Sequence, residues 1–74
     1  MRTIRVTALI EREGDGFVAL CPELDIASQG DTVEEARAML KEAVELFFEC
    51  ADDEEIQRRT AGECYIVPIE CSIA

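Results

Sequence analysis

Seventeen carboxylates and four thiols are the side chains with chemistry to offer in this 74-residue sequence, which holds no histidine. Histidine is the usual general base near neutral pH and the commonest metal ligand, so its absence narrows the options at once. Hydrolysis by two metal ions needs several carboxylates converging from neighbouring strands and a helix onto ions about 3.5–4 Å apart. The spacing argues against that. The first strand is expected to turn Ile4, Val6, Ala8 and Ile10 inward, the last apolar run carries only Glu70, and the acids of the central helix lie opposite its apolar stripe. Ser28 and Thr32 have no His or Lys base set beside them by motif. Cys21 has no positive charge nearby in sequence to lower its pKa. Cys21, Cys50, Cys64 and Cys71 lie far apart with no C-x-x-C pair, which disfavours zinc. They read as small buried apolar residues in a reducing compartment. The expectation is a protein that is not an enzyme, with no catalytic residue, metal or cofactor.

Charge points instead to binding. The net charge is −10, from 17 acidic and 7 basic residues. Glu42, Glu45, Glu49, Asp52, Asp53, Glu54 and Glu55 fall in a span without a single base. Such a surface repels phosphate backbones, so direct nucleic-acid binding is not expected. It serves either as a solvated face that keeps the chain soluble or as a surface for a basic partner. The sequence shows neither a signal-peptide pattern nor an apolar run long enough to span a bilayer, so a cytoplasmic protein without membrane contact is expected.

The elements that must position these charges are short. Residues 3–12 alternate, with Ile4, Val6, Ala8 and Ile10 on one side and Leu9 as the exception, which predicts a strand with one buried face. Glu13-Gly14-Asp15-Gly16 forms a turn, and residues 17–21 make the second arm of a hairpin. Pro22 ends that arm, Glu23-Leu24-Asp25 form a loop, and residues 26–29 give a third strand. Thr32 and Glu35 compose a capping box that opens a helix from Val33 to about Cys50. Its stripe is Val33, Ala36, Leu40, Ala43, Val44, Phe47 and Phe48. A short second helix follows over 52–59, capped by Asp52 and closed by Gly62. Residues 64–73 read as a last strand, placed at an edge by Pro68.

A chain this short makes one domain. A right-handed crossover lays the last strand parallel to the first. The expected fold is therefore α+β: a single β-β-β-α-β domain, 1–74, with a mixed four-stranded sheet in the order 3-2-1-4 and both helices on one face. The edge strand and a partly apolar sheet face predict a homodimer or a higher symmetric assembly.

One run of motifs carries a resemblance. Residues 10–19 (IEREGDGFVA), then Pro22-Glu23-Leu24, then Ser28-Gln29-Gly30-Asp31-Thr32-Val33-Glu34-Glu35-Ala36 and Lys41-Glu42-Ala43-Val44-Glu45-Leu46 together resemble the N-terminal domain of the HicB antitoxin family. The resemblance covers roughly the first fifty residues. It implies a partial ribonuclease H-like fold and a partner, a small basic ribonuclease toxin of the HicA kind whose active site the antitoxin covers. Glu23, Asp25, Ser28 and Gln29, backed by the helix acids, are the residues expected to meet that partner. The chain departs from the family at Asp25-Ile26-Ala27, where many members carry Pro-Gly-Cys. Full-length members also append a DNA-binding domain, and none is expected within these 74 residues. The alternative is a solitary oligomeric interaction module with no toxin partner.

Overall fold

The computed structural model describes residues 3–74. It is an α+β arrangement in the order β1 (Leu9–Glu13), β2 (Gly16–Cys21), β3 (Ile26–Gly30), α1 (Val33–Cys50) and α2 (Asp53–Thr60). The three strands form an antiparallel sheet in the order β1-β2-β3. Gly14 and Asp15 alone join β1 to β2, and Gly14 has φ +61 while Asp15 does not enter the left-handed region. Positive φ at the first central residue only is the pattern of a II′ hairpin turn, which follows the twist of the flanking strands.

Register decides which residues see the helix. Ile10 pairs with Ala19 and Ala19 with Ser28, while Cys21 pairs with Ile26. That face holds the core, in which Ala19, Cys21, Leu24, Ala36, Leu40 and Val44 are buried. α1 crosses mainly β3 and β2 and only grazes β1. The expected stripe therefore holds at Ala36, Leu40 and Val44, with Phe47 and Phe48 packed at its margin. Val33 does not join it and stays 42% exposed in the first turn. Burying a side chain of this size contributes about 2 kcal/mol, so the core is modest.

The helix starts as its sequence requires. The Glu35 N–H donates to the Thr32 hydroxyl at 3.0 Å, and the Asp31 N–H donates to the Glu35 carboxylate at 3.0 Å. α2 is capped in the same way, with the Glu55 N–H donating to Asp52 at 2.8 Å. α2 is then held by Arg59, whose guanidinium donates to the Leu24 carbonyl and lies 5.3 Å from the centre of the Phe47 ring.

Three expectations need correcting. The first strand begins at Leu9, and residues 3–8 form no ladder because among the described residues no strand lies beside them. The strand expected over 64–73 is not formed, so the order 3-2-1-4 stops at three strands. Its alternation is real, but Tyr65, Val67, Ile69 and Ile73 stay largely exposed, and among the described residues no strand lies beside them. The cysteines do not share one environment either: Cys21 is buried, whereas Cys50, Cys64 and Cys71 are exposed. Cys50 closes α1, and the other two lie in the unpaired terminal segment.

Candidate functional site

The four residues expected at an interface sit within one short stretch, yet the fold does not turn them onto one surface. Glu23 is spent internally. Its carboxylate accepts from the Thr7 hydroxyl at 2.6 Å and from the Thr7 N–H at 3.0 Å, and the Cys21 thiol also donates to it at 3.6 Å. Burial pushes the Glu23 carboxyl up, but the bonds from Thr7, its own backbone N–H and Cys21 outweigh that and leave it below the ordinary carboxylate value. The neighbouring Cys21 thiol moves the other way. Burial raises it, the adjacent carboxylate adds to the effect, and the backbone N–H of Leu24 only partly offsets them.

Asp25 is exposed and adopts φ +56, a left-handed conformation that Asp tolerates better than most residues. Ser28 faces the helix layer opposite Ala19 and is half-buried. Gln29, one residue on, points to the other face and is exposed.

Gln29 belongs to a different grouping, which motif reading missed. It lines a cleft of about 450 Å³ with Glu13, Phe17, Asp31 and Glu35. Gly16 and Gly30 leave the cleft floor as bare backbone, and a Cβ on Gly16 would stand 2.9 Å from the Gly30 carbonyl oxygen. Three carboxylates from the hairpin, the β3–α1 junction and the first helical turn thus border one opening. The Glu35 carboxylate is engaged by the Asp31 N–H, whereas Glu13 and Asp31 have no ion pair among the described residues. The signal lay in Phe17 and Gly30, which pair directly across β2 and β3 and bring the two acidic turns together.

Two further surfaces stand out. The outer side of α1 carries Glu34, Glu42, Glu45 and Glu49, all exposed. Among the described residues the one ion pair is Lys41 Nζ to Glu45 at 3.4 Å, an exposed pair of small energetic weight. The open face of the sheet presents Leu9, Leu20 and Ala27 in one cross-strand row and Glu11, Val18 and Gln29 in the next. The arrangement offers carboxylates and an amide to a cationic side chain, beside an apolar row. Among the described residues no three acids or thiols gather so as to hold a metal ion, and no helix is long and apolar enough to cross a membrane.

No protein-family model and no solved structure matches the chain. Two curated proteins do. The chain is 50% identical over 46 residues to the UPF0150 protein ssl0738 of Synechocystis sp., an alignment that spans 60% of this chain and 64% of that protein. It is 34% identical over 70 residues to a UPF0150 protein of Helicobacter pylori, across 93% of this chain and 97% of that one. The chain belongs to the UPF0150 family.

Proposed function

We propose that this UPF0150-family chain is a HicB-like antitoxin, an acidic binding domain without catalysis of its own. In this reading it works in the cytoplasm and neutralises a small basic ribonuclease of the HicA type by covering its active site. The observation that carries the reading is the cleft bordered by Glu13, Asp31 and Glu35, with Gln29 in its lining, on a chain whose α1 also exposes Glu34, Glu42 and Glu49. A cation entering that cleft meets acids that make no ion pair among the described residues, with the Arg12 guanidinium stacked 4.7 Å from the centre of the Phe17 ring beside them. Complementary charge of this kind accelerates encounter and fixes orientation more than it deepens final affinity. The Leu9, Leu20 and Ala27 row supplies apolar area alongside. The finer fold proposed with it is the partial ribonuclease H-like sheet, in which a further strand lies beside β1.

The test is isothermal titration with the small basic protein encoded next to this gene, at low and moderate salt. Binding is expected, with affinity falling several-fold as ionic strength rises through the range where the Debye length drops to about 8 Å. Absence of heat at both ionic strengths would overturn the antitoxin reading. The second reading, a solitary self-associating module, is favoured by the uncovered apolar side chains of residues 65–73. A gene neighbourhood without a short basic reading frame would favour it over the first.

A further inference from the structure

Residues 63–74 are built like a strand and placed like an arm. Tyr65, Val67, Ile69 and Ile73 alternate along the segment and are 75%, 67%, 79% and 93% exposed. Among the described residues, its hydrogen bonding comes down to the Tyr65 hydroxyl donating to Glu63 at 2.9 Å. The molecule is correspondingly long. Its radius of gyration is 14.5 Å and its longest extent 49 Å, whereas a compact chain of this length has a radius of about 11 Å.

The same molecule has an unfilled place of matching character. A trough of about 920 Å³ runs between residues 3–8 and α1, with Val6, Leu40, Val44 and Phe48 along it. Residues 3–8 lead into the edge strand β1 and carry no strand partner among the described residues. Arg5, Arg37 and Lys41 also line the trough. Glu45 and Glu49 line it too, and Lys41 is paired with Glu45 at 3.4 Å, so among the described residues Arg5 and Arg37 are the bases of the trough without an ion pair. The arm carries Glu63 and Glu70 and no base. The arm's apolar alternation matches the Val6, Leu40, Val44 and Phe48 side of the trough, and its two acids match Arg5 and Arg37.

We propose that residues 63–74 of one copy lie as a strand along residues 3–8 of a second copy, filling its trough, with the exchange returned about a two-fold axis. Reciprocal exchange buries both arms and both exposed edges in one closed dimer. Pro68 suits the arm's place at the new edge, where a missing N–H faces outward. The inference deepens the self-association reading and is independent of any toxin.

Analytical ultracentrifugation at micromolar concentration tests it on three samples. The full chain is expected at twice its 8.2 kDa mass, while V67D with I69D, on the exposed arm, and V6E, in the trough, are each expected as monomers. Mixing the arm variant with the trough variant should restore a dimer, because one intact arm then meets one intact trough. A monomeric full chain would overturn both the exchange and the self-association reading. A dimer that survives V67D with I69D would overturn the exchange alone, and so would a mixture that stays monomeric, since an arm folded onto its own chain cannot complement. Far-UV circular dichroism of the arm variant should match the full chain, because the substituted side chains are largely exposed and lie outside the core.

Discussion

Thr7 and Glu23, sixteen residues apart, are joined by two hydrogen bonds, 2.6 Å from the hydroxyl and 3.0 Å from the backbone N–H. They tie the segment ahead of β1 to the loop between β2 and β3, where no ladder bond does so. The carboxylate is the acceptor in both, so the tie depends on its charge. Its folded pKa lies below the ordinary 4.5, hence the stabilisation is full above 4.5 and is lost as pH falls through the lowered value. Urea unfolding between pH 7 and pH 3 should show this loss. The E23Q variant should be less stable by about 1 kcal/mol at pH 7 and should lack that part of the acid dependence.

Gly30 is where β3 meets α1 at closest range. A Cβ there would stand 2.5 Å from the Ala36 nitrogen and 2.8 Å from the Glu35 carbonyl carbon, both backbone atoms that cannot swing aside. G30A should therefore cost about 2–3 kcal/mol, seen as a lowered denaturant midpoint with an unchanged slope. At Gly14, where nothing lies within 4 Å of the added atom, G14A meets only the penalty of φ +61, about 1 kcal/mol.

Arg59 is the clasp of α2. R59A removes both the donor to the Leu24 carbonyl and the cation over Phe47, and should cost about 1–2 kcal/mol. Hydrogen exchange should quicken across α2 before it quickens in α1. R59K should restore little, because an ammonium cannot offer a planar face to Phe47 while donating to the carbonyl.

Reversing charge at the cleft separates recognition from folding. E13K and D31K alter exposed side chains, so thermal stability should change by no more than about 0.5 kcal/mol. Stopped-flow association with the basic partner should slow about tenfold at low salt and much less at high salt. Equal slowing at both would remove the electrostatic role assigned to these acids.

Thiol reactivity should divide the cysteines. Cys50 is exposed at the end of α1 and should react with a thiol reagent in the native state. Cys21 is buried, with its pKa raised by that burial and by Glu23, and should react only on unfolding.

Periodicity carried most of the fold. The Thr32 and Glu35 pattern marks the helix start at Val33 because capping is local, and the end at Cys50 follows from where the apolar stripe stops ahead of the Asp52 cap. The hairpin was legible for the same reason, since Gly14 and Asp15 leave no room for another turn. What was not legible depends on a neighbour. Alternation in residues 3–8 and 64–73 signals a strand, but a strand exists only where a partner supplies the ladder. The interface residues fared likewise. Proximity in sequence joined Ser28 to Gln29, whereas the pleat sends them to opposite faces, and Glu23 was already held by a distant threonine. The acidic cleft emerged only once the Phe17–Gly30 pairing brought the two turns side by side.

Leu24 is 1% exposed although it belongs to a connecting loop, with its carbonyl gripped by Arg59 and its neighbour Glu23 pinned to Thr7. A connection held at two successive residues has little freedom left to mould itself around a visitor. Whatever docks beside Asp25 must therefore bring the matching contour with it, and differences among such visitors should appear in how long they stay rather than in how the loop rearranges to admit them.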